Sequence, residues 1–317
     1  MSDFVANYIN SRINSDSIQE YDYSFLSKSE YSDNENRLEI LKKRGLKSKL
    51  TDFAFLLTSY RNLSDDGPYW TRDSDDYGVK FTFGYRLMEV RIINENGERY
   101  RCRACESCIS ARPYITCLGS FYIPANKESI KRAKDGILEL EYGYYPQEAA
   151  SKEMQEKLEL AYKDGNLIKT KNTYSVLDEI EKNISKLQEY EYMGKRYVRF
   201  DEKFGRYGIF KLNNGVKYNW NNSFWFEVQP VKWWVDEKTK SMITEKLIFN
   251  RVPFHSTTYR PNSFKETDIK KYMDNIFSKD LEQSNEVVLL GEQILYSFLT
   301  QKEKKTQQNN KDEYERN

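Results

Sequence analysis

The sharpest chemical signal in the chain is its cysteines. Cys102, Cys105 and Cys108 have the spacing C-x2-C-x2-C, and Cys117 follows. Four thiolates hold zinc tetrahedrally or carry an iron–sulfur cluster. A clean zinc pattern has two C-x2-C knuckles that share no cysteine, so the run reads equally as small residues in a loop between strands. Zinc at these four positions is one expectation and a plain loop is the other. No secretory signal opens the chain, which argues against disulfides.

Imidazole chemistry has a single candidate. His255 is the one histidine and lies in RVPFHSTTYRPNS, a Pro-containing stretch that reads as a loop. Every Ser/His/Asp, Cys/His or histidine–metal site would need this residue, so its solitude weighs against those mechanisms. Carboxylates are numerous enough for a two-carboxylate hydrolase. Asp65, Asp66, Asp73, Asp75 and Asp76 surround Tyr69 and Trp70. Hard cations take several oxygens and aromatic rings offer flat apolar faces, so this stretch reads as a calcium-assisted or sugar-binding loop, or else as a solvated one. It lacks EF-hand spacing. Neither G-x-x-x-x-G-K-[ST] nor a strand-linked G-x-G-x-x-G is present, so the phosphate-cradling classes have no support. Arg112 and the Lys131, Arg132, Lys134 group are weak anion sites at most, read as solvated charge.

Positioning these groups requires strands. YGVKFTFGY and LMEVRIINENGERYRCR alternate apolar and polar residues, and Asn96-Gly97 marks a hairpin because both turn positions need positive φ. YEYMGKRYVRF turns at Met193-Gly194 and RYGIFKLNNGVKYNW at Asn214-Gly215. SFWFEVQPVKWWVD and SMITEKLIF form a third pair across DEKTK, with a bulge or edge position at Pro230. Trp233 and Trp234 must point to opposite faces of that strand. ILELEYGYYPQ reads as a strand ending at Pro146. Four segments read as helices: EAASKEMQEKLELAYKDG with Gly165 as its stop, VLDEIEKNISKLQ from the spacing of Val176, Ile180, Ile184 and Leu187, TDIKKYMDNIF capped by Thr267, and NEVVLLGEQILYSFL. LTDFAFLLTSY is a buried strand or a short helix.

The order gives an α+β fold, strand-rich, with mixed antiparallel sheets and several flanking helices. We expect a polar arm over 1–45, a strand-rich half over 46–125 carrying candidate binding loops, a basic linker over 126–136, an α+β half over 137–300 and a disordered tail over 301–317. The chain has 317 residues, among them 25 Tyr, 17 Phe and 5 Trp, enough to bury a sizeable core. Its net charge of +1 argues against nucleic acid as the main partner. No apolar run is long enough to span a membrane. A cytoplasmic or virion-associated protein is expected.

Several stretches, among them LTDFAFLLTSY, PYWTRDSDD, VRIINENG, SARPYI and FEVQPVKWWVDEKTKSMITEKLIF, resemble a family of uncharacterised proteins from gut Firmicutes and their mobile elements over about residues 46–282. W-x-R followed by a hairpin and a closing ARP strand is also similar to C-type-lectin-like domains, including the formylglycine-generating-enzyme fold. The ARP-closing half precedes the half with EYGYYPQ, so this second resemblance implies a permuted order or two half-domains. It further implies variable loops on a rigid strand frame. Here those positions are Tyr69, Trp70, Arg72, Asp73, Asp75 and Tyr77, together with Arg101, Arg103, Glu106 and Ser107. Tyr, Ser, Asp and Arg suit binding loops. The function expected is therefore non-enzymatic recognition of a protein or glycan, through two clustered loops that expose aromatic side chains. An intracellular mobile-element effector that blocks a host complex, a zinc-held structural protein and a carboxylate hydrolase are the alternatives.

Overall fold

The computed structural model describes residues 21–32, 35–57, 66–72, 78–82, 85–104, 109–117, 131–178, 183–201, 207–236, 238–239, 241–256, 261 and 263–283. Its strands are β1 (Tyr21–Ser24), β2 (Tyr69–Trp70), β3 (Gly78–Thr82), β4 (Tyr85–Ile93), β5 (Arg99–Arg103), β6 (Tyr114–Cys117), β7 (Lys131–Arg132), β8 (Leu138–Ala149), β9 (Ile168–Asp178), β10 (Asn183–Tyr192), β11 (Lys195–Phe200), β12 (Ile209–Lys211), β13 (Lys217–Asn219), β14 (Phe224–Asp236) and β15 (Ser241–Thr244). The helices are α1 (Lys28–Tyr31), α2 (Glu39–Arg44), α3 (Asp52–Leu57), α4 (Lys152–Lys163), α5 (Asp268–Tyr272) and α6 (Ser278–Glu282), the last two joined by a π-helical turn, Met273–Phe277. The fold is α+β and strand-rich, with antiparallel sheets and flanking helices.

The long strands β8 and β14 organise the larger sheet. β8 pairs with β14 from Phe226↔Ala149 to Val235↔Leu138. The other edge of β14 is divided: Phe224–Glu227 pair with β11, and Trp233–Asp236 pair with β15. One branch continues from β11 through β10 to β9, the other from β15 through β6 to β1. In the gap between the branches, Gln147 donates its side-chain N–H to the carbonyls of Gln229 and Pro230 (both 3.0 Å), and the Glu245 N–H reaches the Lys232 carbonyl (2.9 Å). A second sheet contains β2, β4, β3 and β5, and β12–β13 is a separate hairpin.

Two register shifts break the β8–β14 ladder, at Phe226/Val228 and at Pro230/Lys232. Proline has no N–H to donate, so Pro146 and Pro230 sit beside these bulges. β8 therefore runs past Pro146 to Ala149, further than the sequence suggested. Gly143 lies in the second irregularity with φ +72°. Trp233 turns into the main core and Trp234 into a second one beneath α2 with Leu38, Ile40 and Leu41. Trp234 is enclosed between two guanidinium groups, Arg44 at 4.6 Å and Arg112 at 5.2 Å from its ring centre.

Hairpins at Asn96-Gly97, Met193-Gly194 and Asn214-Gly215, the α4 helix and the Thr267 cap are as expected. Four expectations need correction. Residues 176–178 and 183–187 are not helical but belong to β9 and β10, paired through Leu177↔Ile184 and Tyr174↔Leu187. Val176 and Ile184 are β-branched, which favours a strand, and the ladder puts them on opposite faces, Val176 with Leu187 and Ile184 with Leu177. The polar arm supplies β1, which pairs with β6 and buries Tyr23, Phe25 and Leu26. The basic linker contains β7, hydrogen-bonded to β8. Arg112 is 1 % exposed rather than solvated. The segment NEVVLLGEQILYSFL and the tail lie outside the described residues. No described helix is long and apolar enough to cross a membrane.

The outer edge of β9 is closed by side chains. Gln283 bonds both the N–H (3.1 Å) and the carbonyl (2.8 Å) of Thr173, and Asp280 accepts the Ser175 N–H (2.6 Å). The carboxamide acts as a one-residue strand and blunts an edge otherwise open to pairing. α6 can approach this closely because Gly143 has no Cβ: an added methyl would run into the Leu281 side chain. Gly143→Ala combines that clash with an unfavourable φ and is expected to destabilise the fold by at least about 2 kcal/mol. Urea denaturation measures this as a lowered midpoint.

Candidate functional site

Among the described loop residues named from the sequence, the two aromatics are buried rather than exposed. Tyr69 and Trp70 are 1 % and 0 % exposed, because β2 pairs with the buried Ile92 and Ile93 of β4. The Tyr69 hydroxyl donates to the Leu46 carbonyl (2.7 Å) and Trp70 Nε1 to that of Val252 (3.3 Å). Arg72 bridges to Glu30 (2.9 Å) and the Ser24 hydroxyl (3.3 Å), locking β1 and α1 against β2. Arg101 and Arg103 are exposed on β5. Asp73, Asp75, Tyr77, Glu106 and Ser107 lie outside the described residues.

Cys102 is half-buried on β5 in the smaller sheet, and Cys117 ends β6 in the larger one. Cys105 and Cys108 are outside the described residues. Among the described residues no group of three His, Cys, Asp or Glu side chains is placed to hold a metal ion.

His255 does stand beside a serine and an aspartate, but in the wrong order for nucleophilic catalysis. The Ser256 hydroxyl donates directly to Asp268, and His255 Nδ1 lies 3.7 Å from the other oxygen of that carboxylate. A general base must stand between nucleophile and carboxylate. Here the carboxylate is the hub, and it also accepts the Ser256 N–H (2.7 Å). Buried Glu189 is likewise fully engaged, by Thr170 (2.8 Å), Asn172 (3.0 Å) and Tyr174 (2.9 Å).

A cleft of about 980 Å³ opens between α4 and the β12–β13 hairpin. α4 starts at Ser151, whose side chain accepts the Met154 N–H, and it lays Leu158 against Trp225, Tyr190 and Tyr197, with Ala161 also buried. Gln155 fixes it to β14, accepting the Trp225 N–H (2.8 Å) and donating to the Trp225 carbonyl (2.7 Å). The opposite wall follows from Asn214-Gly215, which reverses the chain so that Ile209↔Asn219 and Lys211↔Lys217 share one face. Phe210 and Tyr218 occupy the other face and pack inward on Phe55 and Phe224.

The cleft floor is ionic. Arg199 binds Asp201, the Ser223 hydroxyl and both oxygens of Glu159 (3.4 Å each), with its guanidinium 4.5 Å from the Tyr162 ring centre. Trp225 Nε1 donates to Glu159 as well (3.1 Å). Both Glu159 oxygens are thus taken by fixed donors, so its carboxylate is built into the wall rather than poised for proton transfer. Asn219, Asn221, Asn222 and Lys217 offer amide and ammonium groups along the hairpin side. Next in sequence to the cleft-lining Asn219 and Asn221, the half-buried Trp220 carries Tyr207, which is 77 % exposed, with ring centres 4.4 Å apart and planes at 37°.

This cleft was missed in the sequence because its walls are about 60 residues apart. The local signal was present, however: a hairpin followed by NWNN, an indole among three amides. Removing the floor tests its role. Arg199→Met leaves Glu159 and Asp201 without their cation and is expected to cost about 2 kcal/mol. Thermal and urea unfolding measure it; a change below about 0.5 kcal/mol would show that the ion network is merely solvated charge.

No protein-family model, curated protein or solved structure matches the chain.

Proposed function

We propose that this chain is a non-enzymatic recognition module that holds a glycan in the cleft between α4 and the β12–β13 hairpin. The observation that carries the reading is the Tyr207–Trp220 ring pair, Tyr207 exposed and Trp220 half-buried, flanking the hairpin whose Asn219 lines a polar cleft together with Asn221 and Asn222. A sugar ring has an apolar C–H face and a rim of hydroxyls. It therefore calls for a flat aromatic surface beside planar donors and acceptors. Trp220 and Tyr207 offer the first; the side chains of Asn219, Asn221, Asn222 and Asp201 offer the second. Such pairs fix orientation without any group that breaks a bond.

Recognition of this kind is what the lectin-like resemblance implies, with the contact surface moved from the Tyr69–Trp70 region to the hairpin. The ordering of Ser256, Asp268 and His255, and the engagement of Glu159, favour binding over hydrolysis. A purely protein-binding role is the competing outcome.

The full chain, applied to a printed panel of neutral and acidic glycans, is expected to bind a subset of them. Trp220→Ala and Tyr207→Ala should each weaken that binding at least about tenfold, because truncated central aromatics cost upwards of ~1.4 kcal/mol. Retention of full affinity by both variants, or an empty panel alongside tight capture of a protein ligand, would contradict the proposal.

A further inference from the structure

The hairpin wall of the cleft is one-sided in charge. The chain as a whole balances 49 Asp and Glu against 50 Lys and Arg. Between Glu202 and Glu227, however, it has no carboxylate, while it has Lys203, Arg206, Lys211 and Lys217. Lys211 and Lys217 are exposed and stand directly opposite each other in the β12–β13 ladder. Like charges at such a pair repel, a cost that a carboxylate at either position would remove. Their face of the hairpin otherwise carries Ile209 and Asn219. Among the described residues neither ammonium forms an ion pair. Lys217 lines the cleft beside Asn219.

The carboxylates around the cleft are already answered. Asp201 and Glu159 share Arg199, and Lys163 stands 3.9 Å from Glu159. Glu156 follows Lys152 by one turn of α4, the spacing at which such side chains are neighbours. At the hairpin turn, Asp52 is buried and accepts the N–H groups of Asn213 (2.9 Å) and Ala149 (3.0 Å), and Glu148 pairs with Lys246. The same contacts fasten the wall. Asn214 Nδ2 donates to the Ala149 carbonyl (2.7 Å), and Phe210 meets Phe55 of α3 edge-on at 5.6 Å. The turn between the two lysines is thus tied to α3 and β8, and their backbone is fixed before any ligand arrives.

We infer that the ligand of this cleft is an acidic glycan, a saccharide bearing carboxylate or sulfate groups, and that Lys217, with Lys211 beside it, receives the anion. This inference rests on the glycan reading of the cleft and adds the chemical class of the sugar. An anion at the two ammoniums relieves their repulsion and is attracted by both. An ammonium is a compact point charge with rotatable donors, so it takes a carboxylate or a sulfate without the planar match that a guanidinium imposes. The amides of Asn219, Asn221 and Asn222 remain for the hydroxyls.

Titration calorimetry of the full chain with matched saccharides tests the assignment. One pair is an oligouronate and its methyl ester; the other is a sulfated oligosaccharide and its unsulfated parent. At least one acidic member should bind about tenfold or more tightly than its neutral partner. The pair that shows the preference tells carboxylate from sulfate. Lys217→Met should bring the acidic-to-neutral ratio below about threefold, and Lys217→Arg should restore most of it, since the charge returns. Lys238→Met, in the exposed β14–β15 turn, is the control and should keep the wild-type ratio. Equal affinities within both pairs would overturn the acidic assignment and leave the glycan reading standing. A preference that survives in the Lys211→Met, Lys217→Met double variant would overturn the role of the hairpin lysines. An oligoglutamate bound as tightly as the acidic saccharides would overturn the assignment in favour of an acidic peptide. Absence of binding to every saccharide would remove the glycan reading and this inference together.

Discussion

One strand with both edges in use determines the rest of this architecture. β14 spends one edge on β8 and divides the other between β11 and β15. A pleated strand sends successive side chains to opposite faces, so its near-continuous apolar and aromatic sequence needs cover on both sides. That cover comes from the Phe53–Phe200–Phe226 cluster on one side and from α4 over Trp225 on the other. Trp233 and Trp234 repeat the arrangement at the far end, the second enclosed by arginines rather than by hydrocarbon alone. The bulges at Val228 and Pro230 bend this long ribbon and sharpen its twist locally.

The fork also explains why the cleft has its chemistry. On the β11 branch, α4 covers Trp225 but not the strand ends, so Arg199 and Glu159 meet at the border between core and water. There an arginine can satisfy two carboxylates and a hydroxyl while stacking on Tyr162, which an ammonium could not do in the same geometry. The β12–β13 hairpin belongs to neither large sheet. It is held by its own inward ring pair and by polar contacts to α3 and β8.

The legible parts of the sequence were those governed by neighbouring residues. Asn-Gly and Met-Gly turns, the Thr267 cap, and the opposed faces of Trp233 and Trp234 depend on a few adjacent positions. Residues 176–178 and 183–187 failed because apolar positions three and four apart fit a helix when only the sequence is read, whereas pairing in the sheet sets Ile184 beside Leu177 and Leu187 beside Tyr174. Tyr69 and Trp70 looked like loop aromatics because Asp, Ser and Pro surround them. Their burial comes from Ile92, Ile93 and Val252, none of which is local. The hydrogen bond from the Ala149 N–H to Asp52 spans 97 positions and leaves no local pattern at all. The polar arm misled in the same way: its composition is that of a solvated segment, yet Tyr23, Phe25 and Leu26 are enough to seat β1.

Mapping amide and indole NMR shifts while a panel-positive oligosaccharide is titrated into the full chain tests the central claim most directly. The account predicts that perturbations gather on the Trp220 indole N–H, on the side chains of Asn219, Asn221 and Asn222, and on Gln155 across the cleft. Perturbations centred on Arg101 and Arg103 of β5, with the hairpin and α4 silent, would contradict it.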